Sequence, residues 1–251
     1  MAGGLCREGE PLFPLTRGGP KALLPVAGRP MVQWVLDALA GARSVGRVVV
    51  VGLDGGLSFP REIHYVPNQG GYMDNALAGA RQLLAIDPQA VRLLLLSADI
   101  PAVLPAHIDW VVAQALATDE DFYYTVIERR VMEERFPGSR RTFLRFQGRQ
   151  YCGGDVVVIR TSLFAMDTGI WQRLSDARKS PLKTAAIIGP WVLLRFALGL
   201  LPIDDAVRLA SRRLGVRGRA LPSPYAEVGM DVDKPFQLDL VEEALRRRGS
   251  P

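Results

Sequence analysis

The sequence predicts an α/β domain of the three-layer, Rossmann-like kind, built on a mostly parallel sheet with a small inserted β sub-sheet. Between 32 and 117, short aliphatic runs alternate with segments whose apolar residues recur at helical spacing, the pattern of right-handed βαβ units. The runs 47–53 (RVVVVGL) and 91–97 (VRLLLLS) are continuously apolar rather than alternating, as strands covered on both faces are. A length of 251 residues is enough for one large domain with a sizeable core. No repeat, low-complexity tract or linker divides the chain. It reads as a single domain over 1–251, with an acceptor-side insertion at about 122–160 and a helical segment at about 163–214.

In chain order, 31–40 places Val32, Val35, Leu36 and Leu39 on one face of a helix. Strands are expected at 47–53 and 64–66, then a loop with Gly70 and Gly71 opening a helix over 76–85. The strand 91–97 ends at Asp99 and precedes a helix over 105–117. Strands at 122–128, 142–146 and 155–159 follow, the last two forming the sub-sheet, with a polar arm between them. Helices are expected at 163–174 and 203–214, strands at 217–221 and 227–233, and a closing helix at 236–247.

Charge and cysteine content narrow the functional classes. The 31 basic and 26 acidic side chains leave only a mild excess of +5, and no basic run interleaved with aromatics marks a nucleic-acid track. The excess suits a small polyanion such as a nucleoside triphosphate. Two distant cysteines make neither a disulfide framework nor a zinc site and fit a reducing, cytoplasmic setting. The segment 184–202 approaches membrane-spanning length but carries Gly189, Pro190 and a central Arg195. It is read as a helix packed on the domain or in a homodimer interface, with membrane-surface association as the alternative.

The amino-terminal stretch carries the clearest chemical signal. Ala2-Gly3-Gly4 lets backbone N–H groups approach a phosphate or base closely, and Lys21, in Pro20-Lys21-Ala22-Leu23-Leu24-Pro25, offers a mobile ammonium to the same phosphates. This loop, with its continuation Val26-Ala27-Gly28-Arg29-Pro30, resembles the signature of the MobA-like NTP transferases, relatives of the molybdopterin-guanine dinucleotide synthases, the methylerythritol-phosphate cytidylyltransferases and the sugar-phosphate nucleotidylyltransferases. Leu77-Ala78-Gly79 matches a further stretch of that group. The resemblance implies the sheet of nucleotide-diphospho-sugar transferases. It also implies an apolar strand running into the Ala-Gly-Gly turn, so the first strand is expected to be truncated here. A catalytic arginine is implied a few residues before the lysine; the insertion 8–19 leaves Arg7 and Arg17 as the two candidates.

Nucleotidyl transfer needs a triphosphate cradle, a divalent ion and an aligned acceptor. The cradle is assigned to Ala2, Gly3, Gly4, Gly70, Gly71 and Asn75, the last three at a helix start that can present N–H groups. Asp99 is a hard oxygen ligand at the carboxyl end of a strand, where such sheets bind ligands. Its Ser97-Ala98-Asp99-Ile100-Pro101 context resembles the family's Mg²⁺-binding aspartate. Asp231-Val232-Asp233 resembles the family's second metal motif, which makes Asp233 the stronger ligand and Asp231 the weaker. Arg140, Arg141 and Thr142 suit an acceptor phosphate, and Asp155 stands where relatives carry asparagine in a Gly-Gly-Asn turn. The expectation is a Mg²⁺-dependent nucleotidyltransferase that joins NMP from an NTP to a small phosphorylated acceptor and releases diphosphate. A GT-A-type glycosyltransferase and a catalytically inactive nucleotide-binding protein are the alternatives.

Overall fold

The computed structural model describes residues 1–164 and 195–249. Of the expected helix at 163–174, Leu163 and Phe164 end a 3-10 turn (Thr161–Phe164) and the rest lies outside the described residues, as does 184–194 of the apolar segment. Of the rest of that segment, Phe196 packs its ring on Phe146 at 5.3 Å, and Leu198 and Leu200 are exposed.

After the glycine turn come a short helix α1 (Phe13–Thr16), a two-residue hairpin pair β1 (Pro25–Val26) and β2 (Arg29–Pro30), and helix α2 (Met31–Gly41). Strands β3 (Val48–Val51) and β4 (Ile63–Val66) pair in parallel. Helix α3 (Tyr72–Ile86) starts one turn earlier than its apolar pattern indicates, directly after Gly71. Strand β5 (Arg92–Leu96), helix α4 (Pro105–Leu116) and strand β6 (Phe122–Glu128) follow as expected.

The arm after β6 is not wholly irregular: helix α5 (Arg129–Arg135) forms there, burying only Met132 among polar neighbours. Strand β7 (Leu144–Phe146) pairs with the first half of β8 (Arg149–Arg160), and the second half of β8 enters the main sheet between β5 and β6. Helix α6 (Ile203–Leu214), strand β9 (Gly218–Ser223) and helix α7 (Pro235–Gly249) complete the described chain.

The main sheet has the order β5-β8-β6-β9; β8 alone opposes its neighbours, and β6 and β9 are parallel. Its strands are covered on both faces, which explains their unbroken apolarity. Leu96, Tyr123, Ile127, Val156 and Val158 point into the larger core with α2, α4 and α7, whereas Leu93, Val157 and Ile159 face Ala80 of α3 on the other side. At roughly 1.5–3 kcal/mol per fully buried large aliphatic side chain, this two-sided burial is the main stabilising term.

Met1 and Ala2 lie between β3 and β5. The Ala2 N–H donates to the Val51 carbonyl at 2.8 Å, the Met1 amine donates to Leu96 O at 2.8 Å, and Ala98 N–H donates to Met1 O at 3.0 Å. Alongside them runs an apolar cavity of about 390 Å³, lined by β3, β5 and the inner faces of α2 and α3. Burial pushes the Met1 amine down to about 6, against the opposing charge of Asp99.

The turn then passes so close to the end of β3 that Gly52, at φ +98°, could not carry a side chain: a Cβ there would lie 2.2 Å from Gly3 Cα.

The strand expected at 227–233 does not form. Ala226–Gly229 makes a 3-10 turn, and the next three residues have no ladder partner. The alternation of Val228, Met230 and Val232, all fully buried, imitates a strand. Gly229 instead sits against the backbone of Gly153 and Gly154, and the Val232 N–H donates to Asp99 O at 3.0 Å.

Candidate active site

The carboxyl end of β5, the glycine turn, the loop before α3 and the segment before α7 enclose a cavity of about 680 Å³. Ala2, Gly3, Gly4, Gly70 and Asn75 line it on one side, and Lys21, Asp99, Asp155, Asp231 and Asp233 on the other. The residues from 5 to 20 form a closed excursion. The Lys21 N–H donates to Gly4 O at 2.9 Å and Leu5 bridges Pro20, so the sixteen residues between turn and lysine, the insertion 8–19 among them, leave the lysine beside the turn.

The acids are set by three separate elements. Asp99 follows β5, whose continuation is fixed by the Ser97 N–H donating to Asp155 O. Asp233 precedes α7, its N–H donating to Gln237 Oε1 at 2.9 Å, while Gln237 reaches on to Ser139 O. The Val232–Asp99 backbone bond brings these two stretches together. One ligand oxygen from each of Asp99, Asp231 and Asp233 falls within 4.8 Å of the others. Lys21 Nζ donates to Asp99 Oδ2 at 2.6 Å and also to Asp233 Oδ1. Burial alone would lower the lysine's pKa; the charges of Asp99 and Asp233 and their hydrogen bonds override it and hold it above its ordinary value.

Arg141 faces inward. It pairs with Asp231, donates to Gly153 O at 3.2 Å and stands 3.8 Å from Asp155. Arg140 is exposed at φ +50° and stacks on Phe236, and Thr142 is exposed; neither lines the cavity. Arg7 and Arg17 are likewise exposed and outside the lining, with Arg17 in the left-handed cap of α1. Gly71 also lies outside it, at the N-cap of α3.

The buried Asn75 does not cap that helix. It accepts from Gln69 N–H and donates to Asn68 Oδ1, while Asn68 donates to Gly3 O at 2.7 Å. Asn68 thus ties the 68–71 loop to the glycine turn, a role that only its place beside two glycines hinted at.

The Asp155 carboxyl is pushed up to about 7, first by burial and then by the charge of Asp99, with Arg141 pulling the other way. Since its ordinary value is 3.8, the folded chain holds between those limits a proton that the unfolded chain has lost. Stability from this group is therefore fully present below about pH 4 and declines as pH rises towards 7. Asp155→Asn removes that dependence. In thermal melts from pH 5 to pH 8, the wild type is expected to fall by several degrees relative to the variant; parallel profiles would contradict the shift. The Met1 amine titrates identically in both proteins and drops out of the difference.

A glycine turn and a cationic side chain thus meet a cluster of acids beyond the carboxyl end of β5, the place where open α/β sheets bind ligands. The comparisons with known proteins give the class. The model of the MobA-like NTP transferase domain matches residues 12–181, and the chain belongs to that family and is a nucleotidyltransferase. It is similar to a hypothetical transferase from Thermus thermophilus, with 34% identity, a TM-score of 0.80, and 95% of this chain and 96% of that one covered. Two further solved structures share the fold at 14% identity. One is a CMP:2-keto-3-deoxy-manno-octonic acid synthetase complexed with CTP, with a TM-score of 0.56 and 91% and 92% covered. The other is a 4-diphosphocytidyl-2C-methyl-D-erythritol synthase, with a TM-score of 0.55 and 90% and 94% covered. No curated protein matches the chain. Among the described residues, no helix is long and apolar enough to cross a membrane.

Proposed function

We propose that the protein transfers an NMP unit from an NTP to a small phosphorylated acceptor, with Mg²⁺ bound at Asp99 and Asp233, and releases diphosphate. The observation that carries this reading is the convergence of the glycine turn, Lys21, Asp99 and Asp233 on one cavity from four distant parts of the chain. The donor set fits a hard divalent ion: all ligands are carboxylate oxygens, and Asp99 Oδ1 is buried without a hydrogen-bond partner. When bound, such an ion offsets charge at the α-phosphate.

The chain's own residues do the rest. The N–H groups of Gly3 and Gly4 orient the triphosphate, the Ala2 N–H being held by the Val51 carbonyl, and Asn68 and Asn75 hold that turn against the 68–71 loop. Lys21 neutralises the leaving diphosphate. Asp155 lines the same cavity and faces the acceptor. A phosphate monoester has its second pKa near ~6 and is already a nucleophile at neutral pH, so no general base is required.

The test is diphosphate release from CTP, GTP, UTP or ATP with Mg²⁺ and a panel of sugar phosphates and other phosphate monoesters. Release with at least one pair supports the reading. Release of NDP from a nucleotide sugar would favour a glycosyltransferase, and nucleotide binding without turnover an inactive binding protein.

A further inference from the structure

We infer that the Lys21 ammonium and the divalent cation are alternative occupants of one position between Asp99 and Asp233, so that the metal enters as the lysine leaves for the triphosphate. The inference rests on the metal-dependent reading above and concerns this chain's own lysine.

Two of the three carboxylates grouped for a cation are the ones the ammonium already holds, Asp99 through Oδ2 at 2.6 Å and Asp233 through Oδ1. A Mg²⁺ ion requires oxygens at roughly 2.0–2.1 Å in near-octahedral array and would meet a like charge at contact distance. The two cations exclude one another. Of the two cationic side chains in the cluster, Arg141 is held by Asp231, the Gly153 carbonyl and Asp155, whereas every polar contact of Lys21 Nζ is to the prospective metal ligands. A lysine is a compact charge on a flexible four-carbon stem, and its backbone is fixed beside the phosphate cradle by the bond to Gly4 O. It can turn from the acids to a bound triphosphate without movement of the main chain.

The linkage has a thermodynamic consequence. Metal alone must displace the lysine without providing it a new partner, while a triphosphate draws the ammonium away and vacates the acids. Metal and nucleotide therefore favour each other's binding reciprocally, beyond direct chelation.

The experiment measures Mn²⁺ binding without nucleotide, by the paramagnetic resonance signal of the free ion, in wild type and in Lys21→Met, which keeps the stem and removes the charge. The variant is expected to bind at least ~10-fold more tightly and to gain several degrees in Tm with Mn²⁺, against little gain in wild type. Equal or weaker binding by the variant would overturn the inference and leave the metal site standing. Failure of both proteins to bind Mn²⁺ would overturn the metal reading and the inference together.

Should Lys21→Met not fold, the intact protein provides the answer through acylation of its lysines, read by mass spectrometry. Saturating Mn²⁺ is expected to increase labelling of Lys21 as it leaves the acids, and unchanged or reduced labelling contradicts the exchange.

Discussion

Asp99→Asn is expected to leave a folded protein whose rate of diphosphate release falls by about 10²–10³-fold or more, the loss seen when one preorganised charge-stabilising contact is removed from a transfer site. Asp99 is the most committed of the acids. One oxygen holds Lys21 and the other is buried with no partner, so the carboxylate has been brought out of water without full compensation. An asparagine would turn an amide donor towards either the lysine or the metal position, and neither accepts it. Stability should move the opposite way or not at all, because four carboxylates (Asp99, Asp155, Asp231 and Asp233) share the cluster with two cations, Lys21 and Arg141. Losing one acid relieves repulsion, while Lys21 keeps Asp233. Asp233 is more than half exposed, so Asp233→Asn should lower kcat less than Asp99→Asn does. Steady-state kcat beside a thermal melt separates the effects, and an Asp99→Asn enzyme retaining more than a tenth of wild-type kcat would refute the assignment.

Much of this was legible in the sequence, and the reasons are physical. Two-sided burial writes itself as an unbroken aliphatic run, so β3 and β5 were visible without any partner. Asp99 and Lys21 were expected in one cleft from their resemblance to the family's motifs, and both line the cavity, one beyond a strand end and the other in a turn between prolines. What depends on distant partners was not legible. The direction of an arginine is decided by whether a buried acid waits for it, and the acid for Arg141 lies 90 residues on, at Asp231. The guanidinium that suited an acceptor phosphate is taken up by Asp231 and the Gly153 carbonyl and does not line the cavity.

The failed strand at 227–233 has a similar cause. Alternating burial specifies two packed faces, and here part of the packing is supplied by the Gly153–Gly154 backbone within β8 and by the Asp99 backbone, with no ladder formed. The polar arm hid α5 because a helix at the surface needs only one well-buried residue, Met132, to anchor it.

Arg141→Met is expected to be the most destabilising change at the site, costing about 3–5 kcal/mol, the range for removing one partner of a buried ion pair. The arginine is 15% exposed and its partner Asp231 13%. Truncation leaves Asp231 and Asp155 with no cation but Lys21, which Asp99 and Asp233 already hold. Asp155 Oδ2 and Arg141 Nε are buried without hydrogen bonds even in the intact protein, so little reserve remains to absorb the loss.

The cost depends on pH with a definite sign. Without the guanidinium, which now pulls the Asp155 pKa down, that carboxyl is pushed above about 7. Arg141→Met should therefore be least harmful at pH 5, where the residual acid is neutral, and most harmful at pH 8. Adding Asp155→Asn should recover part of the loss at pH 8 and little at pH 5, because the same charge has then been removed by substitution instead of protonation. Urea midpoints of the four proteins at both pH values complete the cycle. A loss below about 1 kcal/mol for Arg141→Met at pH 8 would mean that the guanidinium is effectively solvated and that the acids are held apart by something other than this pair.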